Sequence, residues 1–488
     1  MNEFELYLEK NKEIGRVSAF FQSTAHISGL PTLRIGEMII TESGIKGIVH
    51  GLKKDLAETL MLDAKNLRAG ESVARSGKLF EIPVNENLLG RIVNPLCQPI
   101  DNQGPIREKK IFKKLQKTAP PFIKRARIKQ PLETGIMMVD LLVPIGEGQR
   151  ELIIGDAKTG KTTLLLQSLL GQTKKGAICI YVGIRKKDIA IKLIEDYLKK
   201  QGVFSQTIII NTTPDDSTTL SYLAPYSGMT IAEYFKDKGK KVAIIFDDLS
   251  THAKVYREIS LLLKRPPGRN LYPGDIFHIH AALLERAGNF KDKEGETSIT
   301  ALPVAETLEN DISGYIQTNL MAMTDGHIFF DINEFRKGKR PAINAFLSVS
   351  RVGNQTKTPI EREVAGWVRK KLLEYERTLE LAQFGTELTE ETQKTIELGK
   401  RMEVLFNQSP EAIIPHNLQI ILIGLLISDF WGNKSTVTME EDIDKILEVY
   451  NKKNNLPELG EEIKDIKDIT HLLFLIKEMM HKIVQIVM

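Results

Sequence analysis

The stretch Glu151-Leu-Ile-Ile-Gly155-Asp156-Ala157-Lys158-Thr159-Gly160-Lys161-Thr162-Thr163 decides the fold class of this chain. An apolar run, ELII, enters a loop that fits G-x-x-x-x-G-K-[ST], and the loop opens directly into TTLLLQSLL. Strand, glycine loop and helix in that order are the context in which this pattern cradles phosphate. The glycines let successive backbone N–H groups turn inward on an anion, and the helix N-terminus adds a partial positive charge. Lys161 is placed to neutralise the β- and γ-phosphate oxygens, and the Thr162 hydroxyl to ligate Mg2+. The competing reading is a glycine-rich turn that meets the pattern by chance.

Around this stretch, continuous apolar runs (AICIYVGI, TIIINTT, KVAIIFDD, DIFHIHAAL) alternate with amphipathic segments such as DIAIKLIEDYLKKQG. Runs apolar on both faces suit a parallel sheet covered by helices, so the middle of the sequence reads as an α/β core. Towards the N-terminus, from about Ile14 to Pro83, short Val/Ile-containing runs are cut by glycines, a spacing that predicts a small β-barrel. A basic, Pro-rich connector, KTAPPFIKRARIKQPLETG, reads as an extended strap between domains. Beyond about Thr358 helical spacing takes over, as in EREVAGWVRKKLLEYERTLELAQF, and predicts a helical bundle. The expected domains are a barrel over 1–84, an α/β nucleotide-binding domain over 85–357 and a helical domain over 358–488.

Composition narrows the function classes. A length of 488 residues allows two to four domains, and 42% hydrophobic with 27% charged residues is ordinary for a globular protein. Lys plus Arg number 67 against 63 Asp plus Glu, a formal charge of +4, too small to argue for nucleic-acid binding. Two cysteines, Cys97 and Cys179, do not make a disulfide framework and favour a reducing compartment. The longest apolar stretch, Leu418 to Ile427, is about half of what spans a bilayer. The opening MNEFELYLEKNKEIG lacks the apolar core of a signal peptide, so a cytosolic protein that meets membrane only through partners is expected.

The run Lys241–Asp248 is an apolar strand ending in two carboxylates, the usual place for the acid that holds a metal's water shell. Asp247 is the preferred candidate over Asp248; the alternative is that the pair caps a helix. Nucleotide hydrolysis also needs a group that orients the attacking water. In RecA-like hexameric ATPases that group is a glutamate just beyond the strand that follows the loop helix. Here the strand is Ala177–Gly183, followed by Ile184-Arg185-Lys186-Lys187, with Asp188 beyond the basic cluster. The sequence therefore reads as built to hold a nucleotide and poorly built to cleave it. His278 and His280 alternate on an expected strand, but no third ligand stands near, and packing is the preferred reading. The C-terminal HLLFLIKEMMHKIVQIVM is amphipathic and reads as a packing helix rather than a membrane-binding one.

Between about Ile14 and Gln408 the sequence resembles the α subunits of F-type ATP synthases. PIGEGQRELIIGDAKTGKT, LAPYSG, IIFDDLS, LLLKRPPGR, YPGDIF, LLERA, TDGHIF and KGKRPAINAFLSVSRVG match in order and spacing. The resemblance implies a β-barrel crown, a RecA-like domain and a C-terminal helical domain. It implies a hexamer of three α and three β subunits around a γ shaft, attached to the cytoplasmic face of a bacterial plasma membrane through Fo and its peripheral stalk. It also implies ATP or ADP with Mg2+ at a non-catalytic site. By match, Gly155 to Thr163, with Asp247, handle phosphates and metal, and Phe335, Arg340, Pro341 and Gln408 line the adenine region. Arg351 matches the arginine that reaches into the neighbouring β subunit's active site; the competing reading is a surface ion pair. The activity implied is coupling of ATP synthesis or hydrolysis to proton or sodium transport.

The sequence departs from the family in places. Ala157-Lys158 stands where α subunits usually carry Arg-Gln, and Lys186 where they usually have Gln. Two or three residues are missing around Asn407–Pro410, which reduces the usual pair of adenine-contacting glutamines to Gln408. The segment before Ile14 is shorter than usual, which puts docking of a peripheral-stalk δ subunit in question. This pattern resembles the N-type F-ATPases of some bacteria. A Rho-like RNA translocase or a secretion ATPase shares the core fold, but each uses the absent glutamate, and the first needs an aromatic-interleaved basic path. A structural paralogue that no longer binds nucleotide is the third alternative.

Overall fold

In the computed structural model, the glycine-punctuated runs near the N-terminus close into an antiparallel barrel. Its strands are β1 (Ile14–Phe21), β2 (Thr24–Ser28), β3 (Glu37–Thr41), β4 (Lys46–Leu52), β5 (Ala57–Met61) and β6 (Ser72–Leu79). Their order is β1-β2-β5-β4-β3-β6, and β6 returns to β1 with Ala74 opposite Ile14. Alternation places Val17, Ala25, Ile27, Ile39, Val49, Met61 and Val73 inside. Gly47 is required by this packing, since a Cβ there would stand 2.7 Å from Met61 Sδ. A helix, Glu3–Asn11, precedes the barrel and sets Phe4 against Ile40 and Ala74. It opens on a capping box, with Glu5 N donating to Asn2 Oδ1 and Asn2 N to Glu5 Oε2.

The structure describes residues 2–107, 111–293, 295–383, 389–452, 463 and 466–487. Phe384 and Met488, the last residues of two helical stretches quoted above, lie outside them. The protein divides into two compact units, one holding 1–127, 173–307 and 311–324, the other 128–172, 308–310 and 325–488. The basic connector passes from the first to the second at Arg127.

Besides the barrel, the first unit carries a parallel sheet. Ile178–Gly183 lies between Thr207–Asn211 and Val242–Asp247, with Gly183 opposite Asp247. Ile92–Val93 extends it on one side and Gly295–Thr307 on the other, the latter also pairing antiparallel with Gly288–Asp292. Every residue of Ile178–Gly183, Thr207–Asn211 and Val242–Asp247 is buried, as strands covered on both faces require.

One expectation fails here. The run DIFHIHAAL is not a strand but part of the helix Ile276–Leu284. Its buried positions, Ile276, His280, Leu283 and Leu284, recur at helical spacing, which a short apolar run conceals. His278 and His280 therefore do not share a face: His280 is buried and His278 exposed. His280 meets His252 instead, Nε2 to Nδ1 at 3.0 Å, which agrees with the packing reading.

In the second unit Glu151–Asp156 pairs in parallel with Gly326–Phe330, which pairs antiparallel with Val349–Ser350. The helix Lys161–Lys174 leaves the glycine loop. The helical region follows as Pro359–Gln383, Glu390–Phe406, His416–Ile427, Thr436–Lys452 and Ile469–Val487. His416–Ile427 is buried continuously from Leu418 to Leu426 and is the bundle's central helix. Ile469–Val487 buries Leu472, Ile476, Met479, Ile483 and Val487, one face at helical spacing, as expected of a packing helix. Gln419 Nε2 donates to the buried Asp140 at 2.9 Å, and Asp140 also accepts from Thr134 and Gly135 backbone N–H groups. Among the described residues no helix is long and apolar enough to cross a membrane.

Candidate nucleotide site

The glycine loop takes the shape its sequence requires. Gly155 has φ +154°, and a Cβ there would stand 2.4 Å from Phe330 O, so only glycine lets the two strand ends approach. Lys158 (φ 64°) and Gly160 (φ 102°) turn the loop so that it meets the helix at Lys161. Thr159 Oγ1 donates to Asp156 O at 2.7 Å and braces the turn. Lys161 is buried; its Nζ donates to Gly155 O and Asp156 O at 2.8 and 2.6 Å, across the mouth of the loop. Ala157, Lys158, Thr162 and Thr163 are exposed.

The loop is coupled to the adenine-side candidates within the same unit. Asn310 N donates to both Asp156 carboxylate oxygens, at 3.1 and 3.2 Å, and Asn310 Nδ2 to Asp331 Oδ1 at 2.7 Å. Asp331 in turn caps the short helix Ile332–Arg336, which carries Phe335. The Arg340 guanidinium lies 3.7 Å from the Phe335 ring centroid, and its Nη1 donates to Phe335 O. Arg340 and Pro341 line a cavity of about 500 Å³ together with Met138, Glu403 and Phe406. Gln408 lines a neighbouring one of about 400 Å³. Its side-chain amide is occupied by backbone, accepting from Met137 N and donating to Gly135 O and Ala412 O, while its own N donates to Arg340 O. From the loop helix, Gln167 Nε2 donates to Ser409 O and Ala412 O at 3.2 and 3.3 Å.

In the first unit, the two strand-end carboxylates divide their work. Asp248 caps the helix Leu249–Leu262 by accepting from Thr251 N. Burial pushes its carboxyl up to about 6, with Lys186 opposing and Asp247 adding to the rise. The helix-cap reading therefore holds for Asp248, while Asp247 takes no part in the cap. Its Oδ2 accepts from the Tyr181 hydroxyl, and Lys186 Nζ lies 2.8 Å from its Oδ1. Burial alone would lower the Lys186 ammonium pKa, but Asp247 and Asp248 outweigh it and hold it above the usual value. The Tyr181 phenol is pushed well up by burial and by Asp247.

The position beyond Ile178–Gly183 is cationic, as the sequence indicates. Arg185 turns through φ 54° and pairs with Glu258 at 2.9 Å, while Lys186 pairs with Asp247. Asp188 is exposed at the start of the helix Asp188–Lys200. Sequence reasoning missed Tyr181, Asn310 and Glu306; Glu306 is a further carboxylate whose field acts on Lys186 and Asp248. A tyrosine inside an apolar run, the only polar tip in ICIYVG, was the available signal for Tyr181. Asn310, 154 residues from Asp156, gave none.

Arg351 follows the strand Val349–Ser350 and is exposed. Its backbone N donates to Asp325 O at 3.1 Å, but the Asp325 carboxylate is claimed by Arg150 at 2.7 Å. The Arg351 guanidinium makes no ion pair among the described residues, and its charge acts on the buried Glu151 carboxyl. Beneath it, burial holds the Glu151 carboxyl well above its usual range, opposed by the hydrogen bond from Gln149.

A phosphate-cradling loop, a parallel sheet with acidic strand ends and a helical C-terminal region define a nucleotide-binding protein of the RecA-like class. Two family models match: the nucleotide-binding domain of the ATP synthase alpha/beta family over residues 135–350, and the C-terminal domain of ATP synthase alpha/beta subunits over 355–485. The protein belongs to the ATP synthase alpha/beta family. Curated relatives include the ATP synthase subunit alpha of Wolinella succinogenes, 42% identical over 84% of this protein and 82% of that one. The ATP synthase subunit alpha of Clostridium botulinum is 39% identical over 96% of this protein and 93% of its own length. That of Helicobacter pylori is 40% identical over 92% and 89%. The resemblance to α subunits drawn from the motifs is borne out, as is the order of barrel, nucleotide-binding α/β domain and helical domain.

Proposed function

We propose that this protein is the non-catalytic, nucleotide-holding α subunit of an F1 sector, and that it completes the active site of a neighbouring β subunit. The observation that carries the reading is the cationic strand end. Where hydrolysis needs a carboxylate to orient water, Arg185 is tied to Glu258 and Lys186 to Asp247. Gly155 to Thr163 hold the phosphates, with Lys161 as their nearest cation. Phe335, Arg340 and Pro341 flank the base, and Gln408 fixes the backbone at 135–137 behind it. The donor type fits Mg2+ at the loop, where the exposed Thr162 hydroxyl would be a direct ligand, and the sequence match gives Asp247 as the carboxylate for the ion's water shell. When bound, the ion neutralises phosphate charge.

Three such subunits alternate with three β subunits around γ, with domains at 1–84, 85–357 and 358–488. The assembly sits at the cytoplasmic face of the bacterial membrane through Fo and couples ATP turnover to transport of protons or sodium. The exposed Arg351 acts in trans, its guanidinium stabilising charge that develops on phosphoryl oxygens in the β site. No nucleic acid takes part. The test is equilibrium binding of Mg-ATP to the purified protein alongside phosphate release. Binding without multiple turnover is expected, and steady turnover by the protein alone refutes the non-catalytic reading.

A further inference from the structure

We propose that the buried Glu151 carboxyl is a positioning group for Arg351: neutral, it leaves the guanidinium free to project from the protein, and ionised, it draws the guanidinium back towards Gly326. The consequence for a neighbouring active site rests on the function proposed above. The coupling between the two residues lies within the second unit and stands apart from that reading.

Sheet register brings the two residues together. Glu151 stands opposite Gly326 and Gly326 opposite Ser350, so the three form one row across three strands, and Arg351 follows directly. Gly326 keeps that row open. A Cβ there would lie 2.6 and 2.8 Å from the two Glu151 carboxyl oxygens, so the acid reaches from its own strand over the glycine. Glu151 is fully buried; its Oε2 accepts from Gln149 Nε2 at 2.5 Å, and its Oε1 has no hydrogen-bond partner among the described residues. Gln149 Nε2 also lies 3.4 Å from Ser350 Oγ, which donates to Pro144 O, so the backbone entering Arg351 is held while its guanidinium is not.

A buried carboxylate with one bare oxygen is costly unless a cation answers it. Asp325 has its own cation, taking Arg150 N, Nε and Nη2 at 2.9, 3.0 and 2.7 Å. His327 supplies none: burial lowers it below its usual value, the bond to Leu347 O opposes and Arg351 adds to the fall. Arg351 therefore remains, among the described residues, the cation that can meet an ionised Glu151, and its charge already acts on that carboxyl. Burial holds the carboxyl well above its usual range, with Gln149 opposing and Asp325 adding, so it keeps its proton where exposed carboxylates have lost theirs. Rising pH removes that proton, and the carboxylate then attracts the guanidinium strongly at short range in a desolvated setting.

The experiment is phenylglyoxal labelling of the full-length protein at pH ~7 and ~9, read by peptide mass spectrometry at Arg351 with the exposed Arg336 as internal reference. In the natural protein the labelling rate of Arg351 relative to Arg336 is expected to fall more than about threefold at the higher pH, as the guanidinium is withdrawn onto the carboxylate. Glu151→Gln keeps the shape and can still accept from Gln149 but cannot ionise, so its ratio should stay constant. Thermal unfolding checks that the variant is folded. A ratio that does not fall in the natural protein overturns the proposal whatever the variant does, and so does an equal fall in both. In a reconstituted α–β–γ complex, Glu151→Gln should retain at least about threefold more of its ATPase rate on going to the higher pH. If labelling behaves as expected but this difference is missing, the coupling stands and the trans-acting role of Arg351 is what fails.

Discussion

Acidification should loosen the first unit through His252, on the helix that begins immediately after Asp247 and Asp248. His252 is fully buried between Tyr222, on which it stacks at 5.4 Å, and His280. Its Nε2 lies 3.0 Å from Tyr222 O, which can only accept, so Nε2 carries the proton and Nδ1 accepts from His280 Nε2. A second proton on Nδ1 would put a charge in an apolar surround and set it against the His280 N–H. Burial accordingly lowers His252 from 6.5 to about 4, with the bond to Tyr222 O opposing. The unfolded state therefore binds this proton more readily than the folded one. The stability from a neutral His252 is complete above the unfolded value of 6.5 and is lost as pH falls through the folded value of about 4. That amounts to about 3 kcal/mol in the acid limit and about 1 kcal/mol between pH ~7.5 and ~5.5, a window above most carboxylate titrations. Urea unfolding of the full-length protein, followed by circular dichroism, should show His252→Gln less destabilised relative to the natural protein at the lower pH. The gap should narrow by about 1 kcal/mol, because the amide can still donate to Tyr222 O but does not titrate. A gap that stays constant across the window would refute the neutral, proton-averse histidine pair.

Arg351→Ala should leave assembly and this subunit's own ATP binding nearly intact yet lower the ATPase rate of a reconstituted α–β–γ complex by about 10³-fold or more. Arg351→Lys should restore little, since a point charge does not reproduce the planar fork. Lys161→Ala should weaken ATP binding by about tenfold or more in equilibrium titration, as the phosphates lose the ammonium that bridges Gly155 O and Asp156 O. Arg286→Met should destabilise the first unit by about 3 kcal/mol in denaturant unfolding, because Glu233 loses its 2.9 Å partner while buried. Lys117, at 3.2 Å from the other Glu233 oxygen, limits that loss, so Lys117→Met combined with Arg286→Met should cost more than either alone.

How much of this was legible in the sequence depends on how local each determinant is. The glycine loop was legible residue by residue, because strand, turn and helix lie within one short stretch and each glycine has a steric reason. The barrel was legible from its glycine spacing. The helix Glu3–Asn11 was overlooked although Asn2 and Glu5 spell its capping box. DIFHIHAAL misled because nine apolar-rich residues fit either period, and only their neighbours decide which face is buried. The strand Gly295–Thr307 went unassigned, and Gly326–Phe330 was read only for the TDGHIF motif it carries. The bond from Asn310 to Asp156 had no sequence signal at all, since it joins residues that only the fold brings together.

The absent glutamate shows where local reading was sufficient and where it stopped. From the sequence, the residues after Gly183 could be described only by what they lack, a carboxylate to orient water. The structure gives them positive content. Arg185 is held by Glu258, and Lys186 becomes the counter-ion of the carboxylate at which a metal's water shell was expected. On the reading proposed above, the stretch that lacks a water-orienting acid commits two cations to carboxylates of its own unit instead, an arrangement that gives these residues a binding partner each without any part in cleavage.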